Sequence, residues 1–425
     1  MGSPQVDTLE KLIAGLPLLS LGTDGEVWGE SITMRTFGTQ ATGIRTPIVH
    51  EGDDLPQIVA DSVIAYATEN KVQIQNRDII GVTEAVVARA QGNYATTDHI
   101  AADIRGKFPS GTLGIVFPIL SRNRFSILLK GIAAGVDKLF IQLSYPTDEV
   151  GNHIISSDEL YASGANPYSD VFTEQEFRAR FGDLKHEFTA IDYLELYGKL
   201  GNNAQIILAN DPCEILKYTT HIIAADIHTH EQTKNRLLAN GAQTVYSLDE
   251  ILTTSINGSG YNDTYGLLGS NKAGDDRVKL FPRACDDFVE KVQELMFVRT
   301  GAQVEVLVYG DGAFKDPVGK IWELADPVVS PAFTEGLNGL PNELKLKYLA
   351  DNELSDKRGE DAREAIVERI RSKEQNLMGK EETEGTTPRR LTDLIGSLCD
   401  LMSGSGDKGT PVIFIKGYFD NYASE

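Results

Sequence analysis

LGIVFPIL (residues 113–120) begins the stretch of sequence that decides the fold. It is a continuous apolar run with the length of a buried strand. FSILLKGIAAGV (125–136) follows with the pattern of an apolar helix, and KLFIQL (138–143) with that of a second strand. Strand, helix and strand in this order form a βαβ unit. We therefore predict a mixed α/β (α+β) fold.

The same alternation of apolar blocks recurs on both sides of this unit. Ahead of it, 55–70 predicts a helix, 78–82 a buried strand, and 84–89 a helical segment. Behind it, the predicted strands are 204–209, 220–226, 243–246, 304–309 and 412–415, and the predicted helices are 232–240, 288–300, 361–372 and 391–402. Residues 151–192 are polar and rich in Tyr and Gly, which predicts a loop-dominated segment.

Composition excludes several classes of protein. The chain has 425 residues and a hydrophobic share of 41%, which is typical of two or three globular domains. Its net charge of −22 repels phosphate backbones and anionic lipids, so we expect neither nucleic acid nor a membrane as a partner. No apolar run approaches the roughly 20 residues of a membrane span, and no leader pattern begins the chain, so we predict a cytoplasmic location. The three cysteines are far apart and are expected to be core thiols.

The glycine loop GSGDKG (404–409) matches the pattern GxGxxG of dinucleotide-binding folds, but in the reverse context. The phosphate-binding version follows a strand and begins a helix, whose N-terminal amides face the pyrophosphate. Here the predicted helix comes first and the strand second, which argues against a dinucleotide site. Two interpretations remain: a phosphate cradle of backbone amides, or a Schellman-type helix end followed by a turn.

A second pattern, DIHTH (226–230), is similar to the HxH with which amidohydrolase barrels bind metal at a strand end. Those sites need further histidines downstream, whereas the seven histidines of this chain end at His230. We favour a polar strand end that caps the following helix. The alternative is a separate small-molecule site around Asp226, His228 and His230, testable by metal analysis.

Carboxylates beside glycine turns suit a hard divalent cation such as Mg²⁺, which takes ligands from one or two carboxylates and from nucleotide phosphates. The candidates are Asp53, Asp54, Glu84, Asp263, Asp311 and Asp316. We expect Asp53 and Asp54 to cap the helix that follows them. Asp311 ends an apolar run and is flanked by glycines, which is equally consistent with a ligand and with a simple turn.

Five segments occur in the order seen in one enzyme family. They are RTPIVHEGDDL (45–55), DIIGVTEAVVARAQG (78–92), GSNKAGDDRVKLFPRACDD (269–287), VEVLVYGDG (304–312) and RRLTDLIGSLCDLMSGSGDKGTPVIFIKG (389–417). Together they resemble the coenzyme factor-420 gamma-glutamyl ligases. The resemblance implies a ligase-like domain formed by 1–117 and 251–425, with an inserted α/β block at 118–250.

Members of that family use GTP and a divalent metal ion to activate the carboxylate of a phospholactyl deazaflavin precursor as an acyl phosphate, which the amine of L-glutamate attacks. The resemblance thus implies an acid–amino-acid ligase that binds GTP (or ATP) and Mg²⁺ or Mn²⁺, and a homodimer. Motif matching assigns nucleotide binding to Arg45, Thr46, Pro47, Ile48, Glu84, Ala85, Arg89, Asn271, Gly404, Ser405, Gly406, Asp407, Lys408 and Gly409. It makes Asp311 the metal ligand, and Asp311 and Arg89 the catalytic residues.

The sequence also departs from the family pattern. Arg89 replaces the lysine of the usual SKAEG motif, which keeps the charge and changes the donor geometry. The family's second metal aspartate corresponds to Leu268, for which Asp263 in the adjoining loop is the candidate substitute. Two functions therefore stay open: an amide ligase joining an amino acid such as L-glutamate to a small-molecule carboxylate, and a binding protein that keeps the fold but has lost catalysis.

Overall fold

The computed structural model describes residues 38–182, 184–186, 190–201, 203–311, 328–383, 389–404 and 406–424. Their strands are β1 (Gln40–Ile44), β2 (Ile79–Thr83), β3 (Tyr94–Thr96), β4 (Thr112–Val116), β5 (Lys138–Leu143), β6 (Phe172–Thr173), β7 (Ala204–Leu208), β8 (His221–Ala224), β9 (Thr244–Ser247), β10 (Asn271–Lys272), β11 (Arg277–Lys279), β12 (Glu305–Asp311), β13 (Val328–Phe333) and β14 (Val412–Lys416).

Their α-helices are α1 (Leu55–Glu69), α2 (Glu84–Ala90), α3 (Thr97–Lys107), α4 (Phe125–Ala134), α5 (Ser157–Ser163), α6 (Glu174–Phe181), α7 (Tyr193–Leu200), α8 (His230–Ala239), α9 (Cys285–Thr300), α10 (Leu346–Asp351), α11 (Gly359–Arg371) and α12 (Leu391–Met402). The predicted mixed α/β fold is confirmed. Among these helices, none is both long and apolar enough to cross a bilayer.

A five-stranded sheet has the order β1-β14-β2-β12-β13. Its central pair, β2 and β12, is parallel, and the other pairs are antiparallel. Side chains alternate across the sheet: Ile80 packs in one core with α1 and α9, whereas Ile79 packs in the opposite core with α12. Gly81 lets α12 approach closely, because a Cβ there would lie 2.4 Å from Sγ of Cys399.

A six-stranded sheet has the order β6-β7-β5-β4-β8-β9, in which β6 is antiparallel and the other five strands are parallel. The winding direction reverses between β4 and β8, as in doubly wound folds, and all five parallel strands end at one edge. β4 precedes position 118, so this sheet takes its first parallel strand from the chain ahead of the predicted insertion. The predicted boundaries at 117/118 and 250/251 stay a prediction.

Most of the described residues in 151–192 lie outside helices and strands, which confirms the prediction that loops dominate them. The segment also contains α5, β6 and α6. Both helices begin with a reciprocal capping box, from Ser156 with Glu159 and from Thr173 with Glu176. These side chains satisfy the free amides of short helices, which lack the hydrophobic periodicity of long ones.

Asp53 and Asp54, which precede α1, were both predicted to cap this helix, and one of them does. The side chain of Asp54 caps the helix by accepting a hydrogen bond from the Gln57 amide at 3.3 Å. Asp53 instead accepts from the backbone amide of His50 at 2.6 Å and closes the preceding turn. The capping prediction is confirmed for Asp54 and wrong for Asp53.

Candidate active site at one edge of the five-stranded sheet

Four chain segments meet at one edge of the five-stranded sheet. The parallel strands β2 and β12 both end there, at Thr83 and Asp311. The antiparallel β14 begins there, with Val412 opposite Val82. β1 ends there, with Ile44 opposite Val412. The segments that continue these strands are 45–48, 84–85, the end of β12 and the glycine loop 404–409. The topology therefore gathers most of the residues predicted to bind the nucleotide.

Hydrogen bonds join the first of these segments to the last. Nε of Arg45 donates to the backbone oxygen of Lys408 at 3.2 Å. The amide of Thr83 donates to the carbonyl of Pro411 at 3.0 Å, which fixes the end of β2 against the same loop. Within the described residues Arg45 and Lys408 form no ion pair. Two cations without carboxylate partners thus lie at this edge, an arrangement suited to a polyanion.

The glycine loop is closed by its own ends. The amide of Thr410 donates to the carbonyl of Gly404 at 3.0 Å, and Gly409 has a φ of +62°, which favours glycine. α12 ends with Ser403 in an extended conformation, so the Schellman-type helix end, which needs a left-handed residue, is wrong. Gly406, Asp407 and Lys408 are exposed, and Ser405 lies outside the described residues.

Glu84 is a buried charged residue at this edge, with 4% of its surface exposed. Its Oε2 lies 3.2 Å from Nζ of Lys279. Its Cγ packs directly against β12 at Gly310. A Cβ placed on Gly310 would lie only 2.0 Å from this Cγ. The sequence did not single out Lys279; the only signal was its position, two residues after Arg277, on a short strand with alternating charge.

Asn271 reaches the same neighbourhood through the small sheet β10-β11-β3, where it is in register with Lys279. Ala85 lies half-buried in the first turn of α2. Arg89 is exposed in the last turn of that helix, five residues after Glu84. Since a helix rises about 1.5 Å per residue, Arg89 lies roughly 7.5 Å further along the helix axis. No hydrogen bond or ion pair links the side chain of Arg89 to another described residue.

The first turn exposes three of its four predicted residues, Arg45 among them. Pro47 and Ile48 are exposed, Ile48 by 77%, and Thr46 is half-buried. The hydroxyl of Thr46 donates to the carbonyl of Pro47 at 3.0 Å. These three residues therefore border the edge next to Arg45 and leave an apolar side chain open to a ligand.

The predicted metal ligands, Asp311 and Asp263, lie in different parts of the fold. Asp311 is the last residue of β12, where its backbone pairs with Val328; its side chain, and Asp316, lie outside the described residues. Asp263 is exposed in a turn, and no described residue forms a hydrogen bond or ion pair with its side chain. Leu268, at the position of the family's second aspartate, is 4% exposed and belongs to a hydrophobic core.

The thiols near this edge are unsuited to nucleophilic chemistry. Burial raises the pKa of Cys285 to about 12, and it also raises the pKa of Cys399. A thiol must ionise to act as a nucleophile, so both remain neutral packing groups. The expectation of core thiols is confirmed for these two residues, whereas Cys213 is only partly buried.

The DIHTH segment lies elsewhere, at the carboxyl edge of the six-stranded sheet. Oδ2 of Asp226 accepts hydrogen bonds from the hydroxyls of Thr229 and Thr233, at 2.7 and 2.8 Å. The N-cap residue of α8 is Thr229, whose side chain makes no capping hydrogen bond. The predicted helix cap is therefore wrong for this segment.

Comparison with known proteins agrees with the geometry of the sheet edge. The family model described as F420-0:Gamma-glutamyl ligase matches residues 43–417, a range that includes every segment gathered there. No curated protein matched the chain in the corresponding search. A match over this length shows common descent of the whole described fold. The chain belongs to the F420-0:gamma-glutamyl ligase family.

Proposed function

We propose that the protein is a nucleotide- and metal-dependent amide ligase of the gamma-glutamyl type, which joins an amino acid such as L-glutamate to a small-molecule carboxylate. The observation that carries the proposal is the meeting of 45–48, Glu84, the end of β12 and the glycine loop at one sheet edge. The parallel strand ends and the glycine loop provide backbone amides, and the cations Arg45 and Lys408 lie next to them.

The cations favour a nucleoside triphosphate as the first substrate. Arg45 and Lys408 would bind its phosphates, with Asn271 orienting the rest of the nucleotide from β10. The Lys279–Glu84 pair would keep this wall of the site rigid, since both side chains are largely buried. Removing water from such a site protects an activated acyl group from hydrolysis.

Magnesium or manganese would arrive with the nucleotide and bind the carboxylate of the residue that ends β12. Asp311 is the one matching ligand, and the buried Leu268 replaces the second. Mg²⁺ commonly binds through one or two carboxylates and takes its other ligands from phosphates and water. When bound, the ion would neutralise charge on the transferring phosphoryl group.

The reaction consists of two substitutions. An oxygen of the acceptor carboxylate attacks the terminal phosphorus, and the nucleoside diphosphate leaves. The amine nitrogen of the amino acid then attacks the acyl carbon, phosphate leaves, and the nitrogen loses a proton. In both steps the chain's contribution is positioning and electrostatic stabilisation of the phosphoryl group.

The test combines binding with trapping of the activated acyl group. The full chain is incubated with GTP or ATP, Mg²⁺ or Mn²⁺ and F420-0, with and without hydroxylamine. We expect nucleotide-dependent hydroxamate formation, and amide product when L-glutamate replaces hydroxylamine. Asp311→Asn should abolish both. Asp356→Asn removes the same charge from an exposed turn outside the site and should leave both unchanged.

A second function, nucleotide binding without catalysis, is favoured by one observation, the buried Leu268 where the family has a metal ligand. Under this alternative, GTP or ATP raises the melting temperature, but no hydroxamate forms with any metal. Failure of both readouts would contradict the ligase and the binding protein alike.

A further inference from the structure

A second cluster of ligand-type side chains lies at the carboxyl edge of the six-stranded sheet. His230 and Glu231 begin α8, which follows β8, and Asp249 follows the neighbouring β9. The three residues offer one imidazole nitrogen and two carboxylate oxygens, all within 4.8 Å of one another. No residue of this cluster belongs to the candidate active site.

The hydrogen bonds of His230 determine which nitrogen faces the cluster. Nδ1 lies 2.8 Å from the carbonyl oxygen of Ile227, which assigns the proton to Nδ1. Nε2 then points its lone pair towards Oδ2 of Asp249, 3.6 Å away. That separation is too long for a hydrogen bond, but two ligands about 2.0–2.2 Å from one ion lie at roughly this spacing. Ser247 donates its hydroxyl to the other oxygen of Asp249.

Asp226 gives an independent indication that this region binds a ligand. It is 2% exposed, and both threonine hydroxyls bind its Oδ2, so that Oδ1 is buried without a hydrogen-bond partner. A buried oxygen without a hydrogen bond destabilises the folded state unless a ligand compensates it. The carboxylate lies next to His230, because its Oδ2 accepts the hydroxyl of Thr229, the residue directly before that histidine. The orphaned oxygen therefore belongs to a carboxylate that is held against the first turn of α8, where His230 and Glu231 also lie.

We propose that this cluster binds a first-row divalent transition metal ion of the Zn²⁺ class through His230, Glu231 and Asp249. One imidazole with two carboxylates suits Zn²⁺ better than Mg²⁺, which prefers oxygen ligands alone. Asp226, which is bonded to the first turn of the same helix, adds negative charge. Three protein ligands leave one position open to water or to a substrate, as in catalytic zinc sites.

Cobalt is the probe, because Co²⁺ replaces Zn²⁺ and absorbs visible light when it is bound by imidazole and carboxylate. The full chain is stripped with a chelator, titrated with Co²⁺ without nucleotide, and then challenged with Zn²⁺. We expect one saturable Co²⁺ spectrum that Zn²⁺ removes. His230→Gln and Glu231→Gln should each weaken Co²⁺ binding at least tenfold. His221→Gln, at the opposite end of β8, is the matched control and should change nothing.

The variants also separate this site from the candidate active site. Asp311→Asn should leave the Co²⁺ spectrum intact. Glu231 is exposed and no described residue bonds to its side chain, so Glu231→Gln decides the matter even if His230→Gln does not fold. Absence of saturable Co²⁺ binding, or affinity unchanged in Glu231→Gln, would overturn the proposal.

Discussion

Nζ of Lys279 lies 3.2 Å from Oε2 of Glu84, although the two residues are 195 positions apart in the chain. Their side chains are 15% and 5% exposed, so the pair is largely removed from water. A buried charge that loses its partner is strongly destabilising, whereas removal of both charges costs much less. The pair therefore couples the small sheet to the strand ends of the candidate active site.

We expect Lys279→Met to lower the free energy of unfolding by about 3 kcal/mol, because the buried carboxylate of Glu84 loses the positive charge opposite it. The double variant Glu84→Gln with Lys279→Met should recover most of that loss. Urea unfolding of the four proteins in the cycle measures both values. Lys272→Met is the control, since its pair with Asp275 is exposed and should contribute less than about 1 kcal/mol. Equal losses at both lysines would contradict the prediction.

This pair also shows why the sequence predicted the elements better than the site. The strands and helices of the βαβ unit are long and apolar, so their periodicity is local and is confirmed within a few residues. The Lys279–Glu84 contact depends on the register of β11 with β3 and on the packing of α2 against β12, and local patterns contain no information on either.

The same distinction explains two features of local structure that the sequence patterns did not predict. In 151–192 the helices are short and polar, and their only signal is the spacing of Ser156 with Glu159 and of Thr173 with Glu176. At 404–409 the glycines suggested a helix end, whereas the loop is closed by a pairing between Gly404 and Thr410 that depends on where β14 begins. Short elements and loop closures are decided by a few hydrogen bonds, and hydrophobic patterns do not report them.

The contact between Gly81 and α12 predicts a steric effect. In Gly81→Ala the new Cβ would lie 2.4 Å from Sγ of Cys399, so the strand and the helix must move apart. We expect a loss of about 1–3 kcal/mol in the free energy of unfolding. Adding Cys399→Ala should recover part of it, because the sulfur is the nearest atom. Gly106→Ala, where no atom lies within 4 Å, should be neutral or stabilising. Chemical unfolding compares the three variants.

Glu149 predicts a pH dependence of stability. Its carboxylate accepts hydrogen bonds from the amides of Ile227 and His228, but burial raises its pKa from 4.5 to about 7. The folded state therefore binds a proton more tightly than the unfolded state between these pH values. By linkage, the contribution of this group to the free energy of unfolding is greatest below pH 4.5 and falls as the pH rises through 7.

The full effect of Glu149 corresponds to about 3 kcal/mol above pH 7, at about 1.4 kcal/mol per pKa unit. Glu149→Gln removes the titration, so the difference in unfolding free energy between variant and wild type should change by that order between pH 5 and 8. Denaturant unfolding in the presence of a chelator measures it at each pH. Parallel pH profiles for the two proteins would show that Glu149 ionises normally.

The bond from Arg45 to Lys408 makes it possible to separate charge from geometry in nucleotide binding. If Arg45 only supplies charge, Arg45→Lys should bind GTP with Mg²⁺ as wild type does, and Arg45→Gln should be weaker. Because Nε of Arg45 donates to the carbonyl of Lys408, we expect Arg45→Lys to lose affinity as well, since an ammonium cannot hold the loop and a phosphate in the same fork geometry. We predict about a tenfold loss for Arg45→Gln, equivalent to about 1.4 kcal/mol, and a smaller loss for Arg45→Lys. Isothermal titration measures both affinities. Arg371→Gln, at an exposed arginine on α11, is the control for net charge. If Arg371→Gln bound GTP as weakly as Arg45→Gln, the loss of affinity would come from the net charge of the whole protein and not from this edge.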